Sequence, residues 1–151
     1  MQDIESIKKL REETGAGVLE VKNALEEAQG DYTKAHEMLM KKAESKAAKK
    51  ADRVTKDGLV ESYIHMGGKA GSLVLLACET DFVAKTDDFK KVAHEIAMQV
   101  CTSEYTDVNE LVEAEYIRDP SKKIKDLINE LTAKVGEKIE IRSFVRFDVR
   151  E

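Results

Sequence analysis

Leu73-Val74-Leu75-Leu76-Ala77-Cys78 is the stretch on which the fold turns. Six consecutive apolar residues, bounded by Gly71 before and by Glu79-Thr80-Asp81 after, read as a central strand covered on both faces. Just upstream, residues 59–66 mix apolar and polar positions, with Val60, Ile64 and Met66 on one face. Gly67-Gly68-Lys69-Ala70-Gly71 lies between the two runs as a turn, which makes them a hairpin. That turn matches neither GxxxxGK[ST] nor GxGxxG opening a helix, so it gives no case for a phosphate site. Immediately downstream stands Thr80-Asp81-Phe82-Val83-Ala84-Lys85. A large aromatic between an acid and a base is thereby placed at the mouth of a strand-to-helix turn. Turns on a rigid scaffold carry many of the residues that touch partners, and aromatic anchors supply much of the energy of such contacts. From spacing alone Phe82 is equally readable as a core residue covering the helix start, and Asp81 as a local cap.

Working outward, a helix follows Lys85, capped by Thr86 or Asp87, with Phe89, Val92, Ala93, Ile96, Ala97 and Val100 at i, i+3, i+4 spacing. A short helix is expected around Val108–Val112. Pro120-Ser121 then start another, striped by Ile124, Leu127, Ile128, Leu131 and Val135 and ended by Gly136. The last segment alternates. Ile139, Ile141, Val145, Phe147 and Val149 share one parity, and Glu140, Arg142, Arg146, Asp148 and Arg150 the other, as in a half-exposed strand. This β-β-α-α-β order predicts a small three-stranded antiparallel sheet with helices on one face.

The first fifty residues carry three shorter helical patterns. Ile4, Ile7 and Leu10 follow the N-cap residue Asp3; Val18, Val21, Ala24, Leu25 and Ala28 follow Gly15-Ala16-Gly17; Ala35, Met38 and Leu39 follow Gly30-Asp31. Residues 41–57 turn to Lys and Ala, with Lys41, Lys42, Lys46, Lys49, Lys50, Arg53 and Lys56 against Glu44, Asp52 and Asp57. The organisation expected is α+β: a three-helix unit over 1–40, a basic helical linker over 41–57, and a core domain over 58–151.

At 151 residues the chain has room for a small module and a modest core domain. A net charge of −5 argues against nucleic acid as the general partner, and no aromatics interleave the Lys-rich stretch to stack on bases. Its bland reading is a solvated hinge; its sharper one is a contact to ribosomal RNA, as in a ribosome or nascent-chain adaptor. Cys78 and Cys101 have no CxxC spacing and read as buried, reduced thiols. The start has no apolar signal core, and no apolar segment approaches the ~20 residues that span a bilayer, so a cytoplasmic location is expected. No catalytic constellation emerges. His36, His65 and His94 fall in different elements, no HExxH or GxSxG occurs, and neither cysteine has a histidine partner in sight. No metal and no cofactor is indicated, and binding is favoured over bond-making chemistry.

Three blocks give the chain a family resemblance: Leu10-Arg11-Glu12-Glu13-Thr14-Gly15-Ala16-Gly17, continuing through Lys22, Ala24-Leu25, Gly30-Asp31 and Ala35; Cys78-Glu79-Thr80-Asp81-Phe82-Val83-Ala84-Lys85; and Val135-Gly136-Glu137-Lys138-Ile139-Glu140-Ile141-Arg142. In this order they resemble elongation factor Ts, the guanine-nucleotide exchange factor of elongation factor Tu. The resemblance implies that the first unit is a ubiquitin-associated-like (UBA-like) bundle docking on the GTP-binding domain of elongation factor Tu through Arg11, Val18, Leu19 and Lys22. It implies that Thr80, Asp81, Phe82 and Val83 form the loop that disturbs the partner's magnesium site, and that Val135-Gly136 is a further contact. The partner would be engaged both GDP-bound and nucleotide-free, with a homodimer also open to the chain. The family carries methionines where Val18 and Leu19 stand, and Leu-Arg where Leu39-Met40 stands. Longer members add a second core subdomain, a coiled-coil insertion and a C-terminal module.

Overall fold

The computed structural model describes residues 3–151, so the first two residues of the expected 1–40 unit lie outside the described residues. It is α+β, with seven helices and a small three-stranded antiparallel sheet among those residues.

Helices α1 (Ile4–Thr14), α2 (Val18–Glu27) and α3 (Tyr32–Lys49) start and stop where their caps dictate. The Asp3 carboxylate accepts from the Glu5 N–H, and that of Asp31 from the Lys34 N–H. Leu10, Val21, Ala24, Leu25, Ala35 and Leu39 meet in a small core of their own. Ile4 and Val18, although in phase with those stripes, stay exposed. Helix α3 runs on through the Lys/Ala-rich stretch to Lys49, and its Ala43 is buried.

The second core is built on strands β1 (Asp57–Ile64), β2 (Ala70–Cys78) and β5 (Glu140–Asp148), with β2 in the centre and both pairings antiparallel. Between β2 and β5 come α4 (Asp81–Ala84), α5 (Asp87–Thr102), α6 (Val108–Glu113), the short strands β3 (Glu115–Tyr116) and β4 (Asp119–Lys123), and α7 (Ile124–Val135). Helix α5 crosses the inner face of the sheet and buries Phe89, Ala93, Ile96, Ala97 and Val100. Helix α7 packs beside α5 and also takes α3 and the end of α1, so the two cores lean on each other.

Three expectations need correcting. Pro120-Ser121 do not open a helix; they lie in β4, and α7 begins only after Lys123. The β3–β4 hairpin is organised by buried Gln99, whose amide nitrogen donates to the Glu115 carbonyl and whose amide oxygen accepts from the Ile117 N–H. Nor is β2 covered on both faces. Both of its faces are enclosed only at its end, Leu76 to Cys78; before that Ala70, Ser72 and Val74 are buried on the inner side while Leu73 is exposed on the outer side.

The parity of β5 also breaks. Leu75 faces Ser143 but Leu76 faces Ile141, so Arg142 is an extra residue in the strand. Such a bulge exchanges the faces on either side of it. Ile139 and Ile141 point inward, whereas Val145, Phe147 and Val149 point outward, joining Val60, Ile64 and Leu73 on an apolar outer face.

Candidate functional site: a clamped turn with an exposed phenylalanine

The turn after β2 is where the chain leaves the sheet. Thr80 adopts extended angles and caps α4, its hydroxyl accepting from the Val83 N–H. Thr86 does the same for α5, accepting from the Phe89 N–H. Two caps six residues apart confine α4 to a single turn. Val83 and Ala84 are pressed into the core beside Phe89, so Val83 supports the turn from beneath and does not face outward. Phe82 then has nowhere to go but out, and it is 81% exposed. Burying a Phe side chain contributes roughly 1.5–3 kcal/mol, a gain that this fold forgoes at Phe82 and takes at Phe89. Asp81 beside it is exposed as well and accepts from the Lys85 ammonium at 3.0 Å. That hydrogen bond, with the lysine's charge, holds the Asp81 carboxyl below its usual range.

Beneath the turn lies a clamp that sequence reasoning did not single out. The Glu137 carboxylate accepts from the N–H groups of Glu79 (3.1 Å) and Thr80 (3.0 Å) and from the Thr80 hydroxyl (2.7 Å). In return the Glu79 carboxylate accepts from the Lys138 N–H at 2.7 Å and from the Arg53 guanidinium at 3.3 Å. Those two donors, the amide first, keep the Glu79 carboxyl below its ordinary range. Arg53 also donates to the Gly136 carbonyl (3.2 Å), and the Lys138 ammonium to the Ala51 carbonyl (2.7 Å). Three segments, residues 51–53, 79–80 and 136–138, are thereby tied together. Its traces in the sequence were the second and third motif blocks, which contain Glu79-Thr80 and Glu137 without pairing them. Burial, followed by the charges of Glu137 and Asp57, pushes the Cys78 thiol up to about 11, consistent with an unreactive core residue.

The remaining candidates lie along one path. Gly136 closes α7 in the left-handed conformation, φ +72°, which aims Glu137 at the turn. One turn back, Gly15 at the end of α1 approaches α7 so closely that an added Cβ would stand 2.4 Å from the Glu130 carbonyl oxygen and 2.9 Å from Lys134 Cγ. The α1–α2 connection is therefore seated on the last turn of α7, just before Val135-Gly136. Arg11, Val18, Leu19 and Lys22 are exposed around that connection, Leu19 at 70%. Val135 itself is partly buried against the core. Among the described residues no cluster of His, Cys, Asp and Glu is suited to a metal ion, and no helix is long and apolar enough to cross a membrane.

Comparison with known proteins meets the same residues. The sequence model of the family Elongation factor TS matches residues 79–151, beginning at the clamp. An elongation factor Ts of Thermoanaerobacter sp. (strain X514) is 41% identical over 193 aligned positions that span 98% of this chain and 95% of the relative. The chain belongs to the elongation factor Ts family. Similar relatives include the elongation factor Ts of Thermotoga neapolitana, 43% identical over 188 positions (96% of this chain, 95% of the relative), and that of Carboxydothermus hydrogenoformans, 43% identical over 190 (96% and 88%). Each alignment is longer than the 151 residues of this chain. These elongation factor Ts relatives thus carry internal residues that the present one lacks. Its place is among the translation factors of protein biosynthesis.

Proposed function

We propose that this chain promotes GDP release from elongation factor Tu in the cytoplasm, by binding the GTPase domain and disturbing the magnesium–nucleotide site so that GTP can rebind. The observation that carries this is Phe82: a large aromatic held in water, beside Asp81, on a turn tied down at both ends. An exchange factor needs no catalytic group of its own. It binds the nucleotide-free partner more tightly than the nucleotide-bound one, and nucleotide and factor then weaken each other's binding by the same factor. Phe82 is the wedge in this reading, with Asp81 beside it and Thr80 and Val83 as its support. Mg²⁺ demands near-octahedral geometry, so a small displacement around it costs the nucleotide much of its hold. Arg11, Val18, Leu19 and Lys22 would dock the N-terminal bundle on the same partner, and the Val135-Gly136 turn would lie between the two contacts.

The test is release of a fluorescent GDP analogue from elongation factor Tu with and without the chain. Accelerated release, reduced at least about tenfold by Phe82→Ala at equal protein concentration, is expected for a buried hot spot. Unaltered release with folded Phe82→Ala would sink the wedge. The ribosomal-RNA reading loses ground, because two of its cations are occupied within the fold: Lys46 pairs with Glu20, and Arg53 with Glu79.

A homodimer is favoured by the outer sheet face. Six large apolar side chains from the three strands and the residue after β5 are exposed there, and contiguous exposed apolar patches mark association surfaces. A second copy of the same flat face is self-complementary about a twofold axis, as two sheets stack ~10 Å apart. Sedimentation at graded concentration tests it; a monomer at every concentration would refute it.

A further inference from the structure

We infer that Glu137 is a positioning residue for exchange, holding the Glu79–Thr80 backbone so that Phe82 is presented in one direction before any partner arrives. The inference rests on the reading of Phe82 given above. Its starting point is the end of the sheet. Strand β2 makes its last pairings at Ala77 with Glu140 and at Cys78 with Asp57. The next two N–H groups, on Glu79 and Thr80, have no strand to donate to, and backbone donors in a half-buried turn need a partner. Glu137 supplies it, one carboxylate oxygen taking both N–H groups and the other the Thr80 hydroxyl. Charged acceptors of this kind make the stronger class of hydrogen bond.

The geometry downstream depends on this capture. Helix α4 is four residues long, far too short to hold itself together. Its orientation is set by its two ends, with Val83 and Ala84 in the core on one side and Thr80 on the other. The Thr80 hydroxyl donates to Glu137 while accepting from Val83, so one oxygen links the clamp to the helix that carries Phe82. The reciprocal tie from Glu79 to Lys138, with Arg53 bridging Glu79 and the Gly136 carbonyl, keeps Glu137 from swinging away. Without the clamp the turn would order only on binding, and its lost freedom would be charged against affinity.

The chain contains no tryptophan, so Phe82→Trp gives a single fluorescent reporter at the tip of the turn. In that background, Glu137→Ala is expected to lower the anisotropy of the free protein. In exchange assays with elongation factor Tu and a fluorescent GDP analogue, Glu137→Ala should raise the half-saturating concentration about tenfold. Its maximal rate should stay within about twofold. Phe82→Ala should instead lower the maximal rate. Glu137→Gln, which keeps an acceptor for the two N–H groups, should recover most of the affinity; Glu137→Asp, one methylene shorter, should recover less. A merely structural brace would lower the melting temperature without this split or this order of rescue. If Glu137→Ala does not fold, Glu137→Asp and Glu137→Gln carry the same comparison. Parental anisotropy and half-saturation in the folded variants, with Phe82→Ala defective, would overturn the inference. A Phe82→Ala with parental maximal rate would instead overturn the wedge.

Discussion

Phe82 and Phe147 are both left in water, 81% and 74% exposed, but what surrounds them differs. Phe82 stands alone between Asp81 and Val83, on a single helical turn whose approach is hydrogen-bonded to a remote carboxylate. Phe147 stands in a row, with Ile64, Leu73 and Val145 near it on a regular sheet. An isolated, oriented aromatic suits a contact that must form and dissolve, since a few anchors carry most of the energy of an interface. A broad flat apolar face suits a contact that persists, because such interfaces resemble a core cut in half. On the proposed reading, the two exposed aromatics serve two kinds of association.

Buried Phe89 supplies the reference point for that contrast. Phe89→Ala should lower stability by about 3–5 kcal/mol, the range for emptying a core aromatic site, as read by urea unfolding. A loss as small as that of Phe82→Ala would erase the distinction between the two. Next in size, Phe147→Asp should weaken self-association by about a hundredfold or more, because a twofold interface buries the unwanted charge twice. Its exchange activity per folded monomer is the sharper readout. If that falls as far as in Phe82→Ala, the two surfaces are not separate in function.

Phe82→Ala itself should leave the unfolding midpoint within about 0.5 kcal/mol of the parent, as surface changes do, while exchange drops about tenfold or more. The smallest effect concerns the clamp. Glu79 is held below its ordinary value of 4.5, first by the Lys138 N–H and then by Arg53. Between the folded and ordinary values the unfolded chain binds the extra proton. The stability that Glu79 contributes is therefore complete above the ordinary value and drains as pH falls through the lower folded one. Glu79→Gln should melt slightly below the parent at neutral pH, with the gap closing as pH falls below the ordinary carboxylate value. A gap that persists in acid would mean that Glu79 acts through packing and not through charge.

Much of the element order could be read from residues alone. The stripe from Phe89 to Val100 made α5, Gly15 and Gly136 closed their helices in the left-handed conformation, and Asp3, Asp31 and Thr86 capped theirs. These are local matters, decided by side chains within a turn or two of each other. The β3–β4 hairpin was missed because Pro120-Ser121 carries a helix-start signal, and the side chain that overrides it, Gln99, belongs to another helix. The Phe82 turn could be located but not resolved. A Thr-Asp-Phe-Val sequence does not say which of Phe82 and Val83 goes inward.

The sequence by itself determined most of the helix and strand order outside the β3–β4 hairpin, the central place of β2, and the family blocks at residues 10–17, 78–85 and 135–142. Only the tertiary structure decided which way they face. One extra residue, Arg142, turns the outer half of β5 over and brings Val145 and Phe147 to an apolar surface. The core accepts Val83 and Ala84 beside Phe89 and so expels Phe82. Glu137 reaches Thr80 only because α7 and β5 return to the end of β2. Alternation and spacing are properties of neighbours along the chain, whereas bulges, burial and side-chain capture depend on residues brought together from its distant parts.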